Sequence, residues 1–191
     1  MKSIFFISSN GFPSKTNRNT GIFTYEQAKS ASLKYKTVLI DLQTNKTNLI
    51  YNDSFGGTKI HRLLYTKYNF LKALINIIYL YNLKNKYQPS LSICSFLNLK
   101  NVFYSFILNV KTVTIIHGSD AVVTNYFKKI IYTYYLIKNH KIFTVSKYTK
   151  KILLSFFKNF LIKNKVKVVF NGFSRDKLKL TNIEFLKKIP K

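Results

Sequence analysis

Acidic side chains are nearly missing from this chain. Its 191 residues hold 6 Asp and Glu against 32 Lys and Arg, a formal net charge of +26. Between Asp120 and Asp176 there are twelve Lys or Arg and no acid. A surface of one sign attracts polyanions: nucleic acid, anionic lipid head groups or phosphorylated substrates. Lys, Asn, Ile, Tyr and Phe are abundant together, so part of the lysine excess is compositional drift. Drift does not account for the shortage of acids, and an anionic partner does. Cysteine is almost as scarce. Cys94 stands alone, which excludes an internal disulfide and a Cys-rich zinc site and suits a reducing cytoplasm. No unbroken apolar run approaches the ~18 residues of a membrane span; the nearest, Phe70 to Leu83, is interrupted by Lys72, Asn76 and Asn82. The opening "MKSIFFISSNG" lacks a signal peptide's long apolar stretch and cleavage site, and reads as a first strand. There is no GxGxxG and no P-loop, hence no dinucleotide or ATP site of those kinds. No Ser/His/Asp or Cys/His nucleophile set and no metal-ligand cluster is visible.

What is present is enough apolar material, 47% of residues, for one domain with a sizeable core. Strand-like runs recur at Ser3–Ile7, Thr37–Leu42, Lys59–Leu64 (after the turn signal "NDSFGG"), Leu91–Ser95, Val113–Ile116, Lys141–Val145 and Val166–Phe170. Several are continuous rather than alternating, as in parallel strands buried on both faces. Helical patterns separate them at Phe23–Leu33, Asn69–Lys84, Phe127–Ile137 and Lys147–Phe160. In the second, Leu71, Leu74, Ile75 and Ile78 keep helical spacing and Ala73, Ile77 and Leu80 make the other side apolar too. That helix is expected to be buried on most sides or to touch something greasy. The alternation predicts an α/β, Rossmann-like doubly wound, mostly parallel sheet over residues 1–174, with 175–191 as a basic linker.

In such sheets ligands bind beyond the C-terminal ends of the strands. Four ends here carry polar or glycine residues: "SSNGFPSKTNRNTG", "HGSD" after Ile116, "VSKYTKK" after Phe143 and "NGFS" after Phe170. Gly21 stands at the turn into the first helix. There it permits close backbone approach to a ligand, and the free N–H groups of a helix start favour phosphate; the same glycine also serves as a plain turn residue. His117 closes the strand "TVTII". A neutral imidazole there donates and accepts a hydrogen bond at once. Asp120 either orients His117 or caps the helix that follows, and capping is the simpler role. Ser146 reads first as an N-cap. His61 and His140 lack such a setting and read as structural.

Taken in order, four stretches resemble the N-terminal half of a GT-B glycosyltransferase of the retaining family 4 type. "MKSIFFISSNGFP" with "TGIFTYEQAKSAS" is similar to that family's opening strand, loop and first helix. "TIIHGSDA" is similar to its strand ending in a functional histidine. "IFTVSKYTKK" is similar to its serine-started helix, and "VKVVFNGFSRDKL" to the strand and Asn-Gly turn leading to its second domain. The resemblance implies that His117 is catalytic, on the reacting face of the transferred sugar. It implies substrate contacts at Asn19, Thr20, Gly21, Gly118, Ser119, Asp120, Ser146, Asn171 and Gly172. The family's loop usually has more glycine where Asn19 and Thr20 stand here, which argues against a tight diphosphate contact. The resemblance further implies a nucleotide-sugar donor, a glycan or lipid-linked acceptor, no cofactor and no metal. Such an enzyme would act at the inner face of the cytoplasmic membrane, where the basic, aromatic helices Asn69–Lys84 and Phe127–Ile137 would meet anionic lipid. In that family the donor sits mainly on a second Rossmann-like domain, which the tail 175–191 would lead toward. A truncated or split enzyme, paired with a separate C-terminal half, is therefore expected. Two other readings stand beside it: a basic nucleic-acid-binding protein, which charge alone supports, and an inactive remnant.

Overall fold

The computed structural model describes residues 2–14, 21–42, 50–55, 57–66 and 69–169. Asn19, Thr20, Asn171, Gly172 and the tail from 175 lie outside the described residues. The strands are β1 (Ser3–Ser8), β2 (Lys36–Asp41), β3 (Tyr51–Phe55), β4 (Thr58–Arg62), β5 (Pro89–Ser95), β6 (Thr112–Ile116), β7 (Lys141–Thr144) and β8 (Val166–Val168). The helices are α1 (Ile22–Ser32), α2 (Phe70–Tyr87), α3 (Leu99–Leu108), α4 (Tyr126–Lys138), α5 (Lys147–Phe156) and α6 (Phe160–Lys163). One sheet runs in the order β3-β4-β2-β1-β5-β6-β7-β8. Its pairs are parallel except the β3–β4 hairpin. This is the doubly wound α/β sheet expected from the sequence. β1 is buried along its whole length, as a central strand covered on both faces should be.

An acid-poor chain has few aspartates for helix caps, and asparagine replaces them. Asn69, Asn98, Asn125 and Asn159 each accept a backbone N–H of the first turn of α2, α3, α4 and α6. Helix α3 was not legible as a helix in advance, because it is short and lies between two strands; its Asn98 cap was the available signal. The expected helix Lys147–Phe160 breaks after Phe156 and restarts at Phe160 on the Asn159 cap. Leu153, Phe157 and Ile162 are buried while Tyr148 and Phe160 are exposed. Strand β3 replaces the turn expected at "NDSFGG". Asn52 and Asp53 pair with His61 and Ile60, and the reversal is confined to residues around Gly57, at φ 77°. Pairing with an existing edge outweighs the weak strand preference of Asn, Asp and Ser.

Helix α2 is buried on one side only, not on most. Leu71, Leu74, Ile75 and Ile78 all face outward. Asn76 decides it. Its side chain accepts the Leu64 N–H at 2.9 Å and donates to the Leu64 carbonyl at 3.0 Å and the Tyr104 hydroxyl at 3.3 Å. That turns Asn76, Leu80 and Leu83 inward. They pack on the face where Phe5, Ile7, Cys94, Tyr104 and Leu108 form one core cluster. Helix α1 covers the other face, over Ile4, Phe6 and Leu39.

His61 on β4 is buried, with Nδ1 2.8 Å from the Tyr79 hydroxyl. Burial first, then the charges of Lys59 and Lys86, push its pKa from 6.5 to about 4. The folded value lies below the unfolded one. This stability is therefore complete above the unfolded pKa and declines as pH falls from about 6.5 to about 4. Allowing for solvent screening of the lysine charges, the loss should be on the order of 2 kcal/mol. Urea melts across that window check it: wild type should lose stability, and His61→Gln should flatten most of the slope.

Candidate functional site

The crossovers diverge at β1, which pairs with β2 on one side and β5 on the other. That switch point is where an open α/β sheet offers a ligand crevice. Ser8 and Ser95 close the two strands in register. Their hydroxyls are fully buried with no protein partner, and the same holds for Nε2 of His117 at the end of the next strand, β6. Buried polar atoms left unpaired are uncommon and mark places where a ligand or water completes the bonding.

The loops around them are held by side chains. Phe96, just past β5, has φ 78°, a left-handed backbone that costs a non-glycine residue about 1–3 kcal/mol. Asn101, itself buried, secures it by donating to the carbonyls of Ser95 at 2.6 Å and Phe96 at 2.8 Å. The Phe96 ring stacks on the His117 imidazole, centroids 4.4 Å apart at 28°. Asn98 donates to the Ser9 hydroxyl, joining the ends of β5 and β1. Asp120 spends both carboxylate oxygens on backbone N–H groups, not on the imidazole and not on the helix that follows. It clamps two strand ends: Oδ1 accepts the N–H groups of His117 and Gly118 at 2.8 and 2.9 Å, and Oδ2 accepts that of Leu97 at 3.0 Å. Helix α4 starts on Asn125 instead. Burial lowers the His117 pKa from 6.5, and the Asp120 charge opposes the shift. The ring is therefore neutral near pH 7, with one nitrogen not used by the protein.

The remaining expected residues divide. Gly118, at φ 129°, shapes the turn after His117. A Cβ there would sit 3.8 Å from Oγ1 of Thr149. Ser119 is exposed on the single 3-10 turn Ser119–Ala121. Ser146 is the N-cap of α5, accepting the Thr149 N–H at 2.9 Å. Gly21, at φ 61°, begins α1, and an added Cβ would lie 2.1 Å from the Gly11 carbonyl oxygen. The backbone it admits so closely is the chain's own. Ser8, Ser95 and Phe96 were not singled out by the sequence reading, although a serine closing each of two strands was a usable signal. Nor was the second clamp. Arg62 at the end of β4 forms a buried ion pair with Asp41 at the end of β2. It also donates to the carbonyls of Phe12 at 3.4 Å and Pro13 at 2.7 Å. Among the described residues, no group of three His, Cys, Asp or Glu could hold a metal ion.

No protein-family model matches the chain, and no curated protein matches it in sequence. Solved structures do match. Sucrose-phosphate synthase from Thermosynechococcus elongatus aligns over 100% of this chain and 53% of its own, with TM-score 0.66 and 12% identity. A glycosyltransferase from Rickettsia africae aligns over 98% and 48%, with TM-score 0.64 and 20% identity. HepE of Anabaena, in complex with UDP and glucose, aligns over 92% and 46%, with TM-score 0.62 and 13% identity. The fold is one half of GT-B. At these identities the likeness speaks for fold, and the chain spans about half the length of the structures it matches. UDP-N-acetylglucosamine 2-epimerases share the same half, among them the one from Neisseria meningitidis bound to UDP-GlcNAc.

Proposed function

We propose that this chain is the acceptor-side half of a retaining, family 4 type hexosyltransferase. It would pass a sugar from a nucleotide-sugar to a lipid-linked or polysaccharide acceptor in cell-surface glycan synthesis, without metal or cofactor. The observation that carries the reading is His117: a neutral imidazole with an unpartnered nitrogen beside the switch point of the sheet. Such a group bonds sugar hydroxyls next to a developing positive charge without adding a charge of its own. Two solved relatives of this fold hold UDP with glucose and UDP-GlcNAc, which supports nucleotide-sugar chemistry. The motif order around "TIIHGSDA" favours transfer over epimerisation. Leaving-group stabilisation would come from a second Rossmann-like half, as a separate or continuing chain, at the inner face of the cytoplasmic membrane. Nucleic acid is the weaker partner. The charge fits it, but the aromatic side chains are interleaved with Leu and Ile along helices rather than forming a stacking platform.

The test uses the three histidines. In the ring-labelled chain assembled with its second half, UDP-glucose or UDP-GlcNAc should move the imidazole resonances of His117 and leave those of His61 and His140 in place. In the enzyme assembled with its second half, His117→Ala should lower kcat about a hundredfold. An unmoved His117 resonance under every nucleotide-sugar and glycan tried would reject the assignment.

A further inference from the structure

Helices α2, α3 and α4 lie side by side on one face of the sheet, and each carries exposed apolar side chains on its outward surface. On α2, Phe70 is 80% exposed and Leu71 68%, and Leu74, Ile78 and Tyr81 continue the stripe. On α4, Phe127 is 76% exposed, followed by Ile130 and Tyr134. Phe103 and Phe106 bridge them on α3. A contiguous face of this kind on a folded domain marks an interaction site. Its charge has one sign. No acid occurs between Asp53 and Asp120 and none on α4. Lys86, Lys111, Lys128, Lys129 and Lys138 stand exposed along it. Between α3 and α4 a groove of about 490 Å³ brings Phe106 and Tyr134 together with Lys111 and Lys138.

We propose that this three-helix face docks on an anionic lipid leaflet, with the apolar stripes in the acyl–headgroup boundary and the lysines on lipid phosphates. Charge complementarity selects the occupant. A second copy would set the same lysines against one another. A nucleic acid would take the lysines and leave the Leu and Ile stripes in water. A second enzyme half facing the C-terminal edge of the sheet would reach only the first turns, whereas the α2 stripe runs from Phe70 to Tyr81, about 16 Å. An anionic leaflet takes both chemistries at once. Among the described residues no helix is long and apolar enough to cross a membrane, so the helices lie on the surface. Each follows its strand, so its first turn stands at the edge of the sheet that carries His117. Docking then brings that edge to the bilayer. If the transferase reading holds, on which this last step alone rests, the acceptor is one embedded in lipid.

Co-sedimentation of the full chain with vesicles tests the face. Phosphatidylglycerol–phosphatidylcholine vesicles should bind it, and binding should fall with salt; phosphatidylcholine alone should bind far less. Leu71→Ser with Ile78→Ser should lower partitioning about tenfold or more. Lys128→Gln and Lys129→Gln should each lower it about fivefold. All four side chains are exposed, and thermal melts should confirm that the variants fold as wild type. Leu33→Ser, exposed at the end of α1 on the other face, and His117→Ala should bind vesicles normally. Equal binding to neutral vesicles, unchanged binding by both face variants, or a wild-type dimer that the face variants dissociate would overturn the proposal. Vesicle binding together with unresponsive His117 resonances would instead reject the sugar reading and leave the face standing.

Discussion

Arg62→Met is expected to cost the fold about 3–5 kcal/mol. The guanidinium is 2% exposed and its partner Asp41 0%, so the substitution strips a buried carboxylate of its counter-charge in a setting that water does not reach. Methionine is close in length and apolar, so the cost is electrostatic rather than a cavity. Two further losses follow, because the same guanidinium serves the carbonyls of Phe12 and Pro13. Those carbonyls belong to the loop between β1 and α1, and the Phe12 N–H itself reaches Asp41 at 3.3 Å. The pair therefore fastens three pieces of chain at the C-terminal edge of the sheet. Removing both charges with Asp41→Leu and Arg62→Met should recover part of the loss, since no ion is then left alone. It should not recover all of it, since the Phe12 and Pro13 carbonyls stay orphaned. Denaturant melts of the two single variants and the double give the coupling directly. A single variant within about 1 kcal/mol of wild type would mean that water reaches the pair.

That pair shows where sequence reading stops. The parallel strands announced themselves because β1 and β2 carry unbroken apolar centres, Ile4 to Ile7 and Val38 to Ile40, a pattern that suits a doubly covered strand. The turn chemistry around His117 was visible as a strand running into "HGSD". The facing of the helices was not visible. An α2 that is apolar on every side has no preferred face by periodicity, and the choice fell to Asn76 through bonds to Leu64, twelve residues away. Nor could spacing join Asp41 to Arg62, or Ser8 to Ser95, since those meetings are made by strand order. Asp120 stood out in the sequence, but its role as a backbone tie did not. A carboxylate before a helix suggests a cap, and only the placement of β5 beside β6 brings the Leu97 N–H within reach. Of six acids in a strongly basic chain, Asp41 and Asp120 both serve as ties at the same edge.

The consequence for Asp120 is a graded series. Asp120→Ala should cost about 3 kcal/mol, because three backbone N–H groups lose their acceptor while half-buried and each orphan costs on the order of 1 kcal/mol or more. Asp120→Asn should fall between. Its amide oxygen can still take the paired N–H groups of His117 and Gly118, but the amide nitrogen then points a donor at the Leu97 N–H, where an acceptor is required. The damage should not stay local. The clamp holds the His117 backbone against the segment that carries Phe96, whose ring lies on the imidazole. Loosening it should open the ring to water. Because burial is the main cause of the lowered His117 pKa, the imidazole should then titrate nearer its ordinary value; loss of the opposing carboxylate, which alone would lower the pKa further, runs the other way. Histidine NMR titrations separate the two terms. In Asp120→Asn, a His117 pKa that rises means the clamp acts by excluding water from the ring. A pKa that falls means the ring stayed buried and Asp120 acted through its charge alone. The geometry favours the rise, because the carboxylate spends both oxygens on the backbone.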